Sequence, residues 1–377
     1  MAGSSHDATV HRKSDLYCEV KIIYLVNIVV SAGAKRWEKR VPRALAEVLS
    51  LANADLQLAS DVVDPSVDLA LRTKDRLFVV GVKASASPAV VRGSAMSLAS
   101  SVRKLRRAAI PLVVVPFMTP AGKRVCESAA VSWLDLSGNA HITGPGLRVI
   151  VEGNPNAFAT RGRPSSAFAP KSARITRWLL MHPKGAFPQH ELAEQTGVSQ
   201  GLVSRVLSRL EEQQLVTRED GLVRVPQPPL LFEAWRDEYR FDKHTLIRGH
   251  VAMRTGSALT RFVADTLAEA DVEHAATGLS AAWQMTHFAT FRVATFYVAS
   301  ELDPDLEERM GFRGDSRGAN LWLVVPNDPG VFAGAGVHDE VRCVHPVQAA
   351  LDLEAHPERA AEAAERLRSE LLMPTWA

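Results

Sequence analysis

The chain has few cysteines, no long apolar run and almost no net charge, and each shortage narrows what it can be. Three cysteines in 377 residues, Cys18, Cys126 and Cys343, stand far apart and make no Cys-x-x-Cys pair. That count argues against a disulfide framework and a structural zinc site, and it fits a reducing cytoplasm. The most apolar stretch, Ile22 to Val30, is far shorter than the roughly 20 residues a membrane helix needs. Mixed charges precede it, and Ser31-Ala32-Gly33-Ala34 is a weak cleavage site, so a buried strand or an irregular extension is expected rather than an export signal. No repeat of fixed period and no low-complexity tract is present. His250, His274, His287, His338 and His345 show no His-x-His or His-x-x-x-His spacing, so neither a metal nor another cofactor is expected. A formal net charge of +2 excludes a globally basic coat and leaves local patches to decide any nucleic-acid contact.

What is present is globular. An apolar fraction of 46% and a charged fraction of 23% allow real cores, and the length predicts two or three domains. The fold class expected is α/β multidomain. Residues 1–40 form an extension without a readable pattern. From 41 to 153, helical and strand patterns alternate. Val41–Ala54 has helical spacing, and Ser66–Leu71 and Leu77–Lys83 read as strands around a turn at Thr73-Lys74-Asp75-Arg76. Ala89–Ala108 reads as a helix ending in Arg103-Lys104-Leu105-Arg106-Arg107, then Ile110–Phe117 as a strand. A helix follows over Thr119–Ala130, with Thr119 as cap and Pro120 at its first position. Strands over Ser132–Leu136, Ala140–Thr143 and Leu147–Val151 complete a mixed sheet. Residues 154–170, with Arg161 and Arg163, form a Pro- and Ser-rich linker expected to be extended and mobile. Residues 171–228 make a second domain, closed by Pro226-Gln227-Pro228-Pro229, and 229–377 a third, α/β unit.

The second domain carries the clearest pattern. Lys171–Met181 is an amphipathic helix with Ile175, Trp178 and Leu179 on one side. Pro188–Thr196 is a second helix with Leu192 and Ala193 inward, and Gly197 supplies a left-handed turn. Val198 plugs the angle, and Ser199 caps a third helix to about Gln213. There Leu202, Val203, Val206, Leu207 and Leu210 form one apolar face. The opposite face holds Gln200, Gly201, Ser204, Arg205, Ser208 and Arg209, free of acids until Glu211 and Glu212. Small polar residues and arginines on such a face suit the major groove, where Arg pairs bidentately with guanine. Leu215–Arg218 and Leu222–Val225 flank Glu219-Asp220-Gly221, a hairpin and therefore a wing. Arg218 and Arg224 on it, with Lys171 and Arg174 on the first helix, are candidate phosphate contacts. The domain is expected to bind double-stranded DNA, with a homodimer as one arrangement. Its charge is barely positive, eight Lys and Arg against six Asp and Glu, so the separation of signs matters more than the excess.

Two further segments resemble enzymes but lack their acids. Asp68 and Val79-Val80-Gly81-Val82-Lys83 resemble the restriction-endonuclease-like fold, in which an Asp and a Glu/Asp-x-Lys pair hold Mg²⁺ and steady the phosphate. Gly81 stands where the second carboxylate belongs, and neither Asp61, Asp64 nor Asp75 is in register. Asp68 and Lys83 therefore read as a degenerate remnant, and no catalytic residue is expected. Asp135, before Leu136-Ser137-Gly138-Asn139, reads as a turn residue. Thr277-Gly278-Leu279-Ser280, between helices Leu259–Ala270 and Ala281–Phe288, resembles the Gly-Ser turn of nucleotidyltransferases. The strand after it, Ala294–Ser300, has no acid, and Asp303 and Asp305 flank Pro304 in a loop.

Together, Asp68…Gly81-Val82-Lys83, WLDLSGNAHI, His190–Val216 and His345–Leu353 (HPVQAALDL) resemble an AbiEi-like family of bacterial type IV antitoxins and transcriptional regulators. The resemblance spans about Val41 to Leu372. It implies a winged helix that represses its own promoter and a C-terminal domain that opposes a nucleotidyltransferase toxin. The chain departs from that pattern in placing a nuclease-like domain before the winged helix.

Overall fold

A computed structural model describes residues 35–51, 55–62, 64–105, 108–159, 166–315 and 317–377. The apolar stretch 22–30, Cys18, Arg106, Arg107, Arg161 and Arg163 lie outside the described residues. The chain falls into two compact units, one formed mainly by residues up to 159 and the other mainly by those after it.

The first unit is a seven-stranded sheet in simple sequence order. Its strands are β1 (Gln57–Leu58), β2 (Leu69–Arg72), β3 (Leu77–Val82), β4 (Ile110–Val115), β5 (Ser132–Asp135), β6 (Ala140–Gly144) and β7 (Leu147–Val151). β3, β4 and β5 are mutually parallel and the remaining neighbours antiparallel, the mixed sheet expected. The parallel centre is covered on both faces, which is why β3 and β4 read as unbroken apolar runs. Phe78, Val80 and Val82 face helix α2 (Val41–Val48), which follows the short helix α1 (Lys35–Glu38). Leu77, Val79, Val113 and Val115 face helices α3 (Pro88–Lys104) and α4 (Pro120–Ser128), meeting Val91, Ala95, Leu98 and Cys126. The β2–β3 turn closes with Thr73 N–H donating to the Arg76 carbonyl. The expected linker does not start at Asn154: that residue exchanges hydrogen bonds with Asn139, and Phe158 packs edge-on against Trp37.

The second unit holds both the winged region and the C-terminal sheet. Helices α5 (Pro170–Met181), α6 (Gln189–Thr196) and α7 (Gln200–Glu212) pack together, with a small sheet ordered β8 (Phe187–Pro188), β10 (Leu222–Arg224), β9 (Thr217–Glu219). Pro188 thus lies in a strand rather than opening the second helix. Helix α8 (Pro228–Glu238) leads to a mixed seven-stranded sheet ordered β14-β11-β15-β13-β12-β17-β16. These strands are β11 (Thr245–His250), β12 (His274–Ala276), β13 (Ala294–Val298), β14 (Arg313–Gly314), β15 (Leu321–Val325), β16 (Gly336–His338) and β17 (Val341–Cys343). Around them run α9 (Gly256–Glu269), α10 (Gly278–Thr286), α11 (Pro304–Arg309), α12 (Pro346–Asp352), α13 (Ala360–Leu367) and α14 (Met373–Trp376). Asp303, expected in a loop, caps α11 by accepting the Asp305 N–H. Among the described residues no helix is long and apolar enough to cross a membrane.

Candidate nucleic-acid interface

Helix α7 is set by its two faces. Val203, Val206, Leu207 and Leu210 are buried, while Leu202 stays only half-buried at the start of the helix. Ser199 caps it by accepting the Leu202 N–H, and Gly197 before it has φ +62°, a conformation that costs a glycine least. The outward face presents Ser199, Gln200, Gly201 and Arg205 exposed, with Ser204, Ser208 and Arg209 half-buried. Neither Arg205 nor Arg209 has an ion-pair or hydrogen-bond partner in the described structure. A helix anchored below by branched apolar side chains and carrying two unengaged guanidinium groups above can offer both to a polyanion.

The wing is a two-residue hairpin. Asp220 and Gly221 take φ +52° and +78°, the pair of positive angles that matches strand twist in the tightest hairpins, and Glu219 faces Leu222. Arg224 projects from β10, exposed and unpaired. Arg218 is exposed but paired: it donates to Glu211 of α7 at 2.9 Å and to Ser208 Oγ at 3.3 Å. The hydrogen bond from Arg218 holds the Glu211 carboxyl below its ordinary range. The first acid of α7 is therefore paired with the wing.

On the first helix, Lys171 is exposed and Arg174 is not available to DNA. Arg174 grips Asp328 of the C-terminal sheet region through two bonds, Nε to Oδ1 at 2.7 Å and Nη2 to Oδ2 at 2.9 Å. A bidentate pair at this depth is a structural joint. The phosphate role expected for Arg174 is corrected accordingly.

The remnant in the first unit is closed on itself. Asp68 Oδ2 accepts from Lys83 Nζ at 2.8 Å and from the Val82 N–H at 2.7 Å. Gly81 lies on the face covered by α3, where an added Cβ would come 2.5 Å from Ser94 Oγ and 3.2 Å from Leu98 Cδ1. The position that a second carboxylate would need is thus filled by a packed helix. Gly81→Glu is expected to cost about 1–3 kcal/mol through overpacking, read as a lower urea midpoint; an unchanged midpoint would show that α3 yields freely. Asp135 is a turn residue as expected: fully buried, it accepts from the N–H groups of Met118, Ser137 and Asn139 and from Asn139 Nδ2. Among the described residues no three His, Cys, Asp or Glu side chains cluster as a metal site.

A buried polar network in the second unit escaped the sequence reading. Asp352 is fully buried and accepts from Thr277 Oγ1 at 2.5 Å, Gln348 Nε2 at 2.8 Å, Tyr297 OH at 3.0 Å and Tyr239 OH. Burial pushes its pKa up to about 6 despite those donors. Gln348, one turn before it on α12, receives Arg177 Nη2 of α5 at 2.6 Å. His244 Nδ1 accepts the Asn327 N–H, so its proton sits on Nε2 facing Tyr239. Gly278 belongs here too: its φ is +56°, and a Cβ would lie 2.4 Å from His356 Nε2. The glycine of Thr277-Gly278-Leu279-Ser280 is explained by that packing. The signal for the network was present in HPVQAALDL, where Gln348 and Asp352 sit four apart on an otherwise apolar helix.

With this geometry in hand, residues 170–222 match the MarR family. The match covers the three helices and the first part of the wing, and it identifies the region as a winged helix. No curated protein matches the chain, and no solved structure does.

Proposed function

We propose that the chain is a DNA-binding transcriptional regulator that reads duplex DNA with the exposed face of α7 and steadies itself on phosphates through Arg224 and Lys171. The observation that carries this reading is the unpaired Arg205 and Arg209 on a face otherwise made of Ser, Gln and Gly. Such a face fits a groove about 12 Å wide, and arginine is the side chain that most often reads guanine there. The MarR-type winged helix supports the same reading. Two copies would place two such helices on half-sites about one helical turn apart.

Within that reading, the AbiEi-like resemblance makes the chain's own promoter the first operator to try and an adjacent nucleotidyltransferase gene its functional partner. No hydrolytic role is assigned to the first unit, because Lys83 already occupies Asp68 and Gly81 leaves no place for a second acid. The test is a band shift on DNA upstream of the chain's own gene. Arg205→Ala and Arg209→Ala are expected to weaken binding by about 1–3 kcal/mol wherever the arginine meets a base edge. Full-strength binding by both variants would refute the docking proposed. Plasmid cutting in Mg²⁺ that disappears in Lys83→Ala would move the first unit to a nuclease role.

A further inference from the structure

A cavity of about 260 Å³ in the second unit is lined by a buried cation whose donors are only partly used. It is bounded by the first turn of α5, by Trp235 and Tyr239, and by the segment from Asn327 to Val331. Arg177 lines it although the residue is only 4% exposed. One nitrogen of its guanidinium, Nη2, is used on Gln348, while Nε and Nη1 have no hydrogen-bond partner. A guanidinium cannot escape by losing its proton, so two buried nitrogens, with three N–H donors between them, remain without an acceptor. Trp235 lies under the group at 5.2 Å and holds its plane.

None of the neighbouring acids hydrogen-bonds Arg177. Asp328 gives both oxygens to Arg174, and Glu238 accepts from Ser166 Oγ. Asp352 takes four other donors. The second observation is independent of Arg177. The 12-residue helix α5 begins at this cavity, its cap residue Ala169 offers no side chain to the first-turn amides, and that turn contains no acid. An uncapped helix N-terminus carries partial positive charge and favours anions, although Pro170 has no N–H and the Ala173 N–H already bonds the Ala169 carbonyl. Arg240 and Lys243 add two exposed cationic side chains to the lining, and Phe168 and Val331 add buried apolar surface.

We propose that this cavity binds a small organic anion. Arg177 receives its carboxylate or phosphate beside the positive end of α5, and Phe168 and Val331 cover its apolar body. The fork of a guanidinium suits either head group, and the volume suits a body of about one ring, near the small end of ligand pockets.

The test uses the full chain without DNA and follows its thermal midpoint with sodium benzoate, phenyl phosphate and the neutral benzyl alcohol, all at one ionic strength. A saturable rise with benzoate, phenyl phosphate or both, and none with benzyl alcohol, is expected; the stronger of the two identifies the head group. Ala173→Leu, which fills the cavity from α5, should abolish the rise. The surface double variant Arg240→Ala with Lys243→Ala leaves the core intact and should weaken binding by about tenfold at low salt. The proposal fails if neither anion gives a saturable shift or benzyl alcohol gives an equal one. It fails equally if the double variant and Ala173→Leu both bind as the parent does.

Discussion

Asp352→Ala is expected to lower the unfolding free energy of the second unit by about 3–5 kcal/mol, the range for removing one member of a buried charged network. The carboxylate is the common acceptor for Thr277, Gln348, Tyr239 and Tyr297, and those groups come from the residue after α8, from α12, from β13 and from the residue before α10. Truncation leaves buried donors without acceptors and removes one of the negative charges that act on Arg177. The loss is therefore larger than one hydrogen bond, which is worth about 1 kcal/mol net. Asp352→Asn keeps the volume and one acceptor oxygen, and it should cost clearly less. Urea unfolding followed by tryptophan fluorescence checks both, since Trp235 lies beside the network. Equal stability of parent and Asp352→Ala would mean that the network carries no net stabilisation.

Stability is expected to fall as pH drops from 7 to 5. Burial lowers the pKa of His244, His345 and His356 from 6.5 to about 4. Each ring nitrogen that would gain the proton is already an acceptor. His244 accepts from Asn327, His345 accepts from Val347 N–H to cap α12, and His356 donates through Nδ1 to the Asp352 carbonyl and so receives Thr295 on Nε2. Between pH 6.5 and 4 the unfolded chain therefore binds more protons at these sites than the folded one, and stability falls with falling pH. Asp352 opposes this. Its folded pKa, raised from 3.8 to about 6, makes the folded state the better proton binder in that window. Three histidines against one aspartate leave a net uptake on unfolding, worth at most about 2.7 kcal/mol per pH unit. Thermal midpoints at pH 7 and 5 measure it, and Asp352→Asn should steepen the acid loss by removing the opposing term. A midpoint that is higher at pH 5 than at pH 7 would reverse the sign of this account.

The sequence made some of this visible and hid the rest for definite reasons. β3, β4 and β5 were legible because central strands covered on both faces are simply apolar, and β6 and β7 because their turns are spelled out by Ser, Gly, Asn and Pro. Helix α7 was legible because its four buried residues recur at helical spacing. β1 and β8 were not, since a two-residue strand has no period to read. The charges were the least legible. Nothing local to Arg174 predicts Asp328, which lies 154 residues away, and Arg177 reads as a solvated side chain until Trp235 and Gln348 are seen to enclose it. Arg218 was correctly placed on the wing, but its partner Glu211 had been read only as the end of the basic face.

The most direct test of the central claim is the salt dependence of duplex DNA binding, measured by anisotropy for the parent chain, Arg205→Ala and Arg224→Ala. Contact through phosphates predicts a linear fall of log affinity with log salt, and Arg224→Ala should flatten that slope by about one. Arg205→Ala should instead discriminate less between operator and unrelated duplex. A parent chain that binds no duplex at low salt, or one whose affinity ignores both substitutions, would contradict the account.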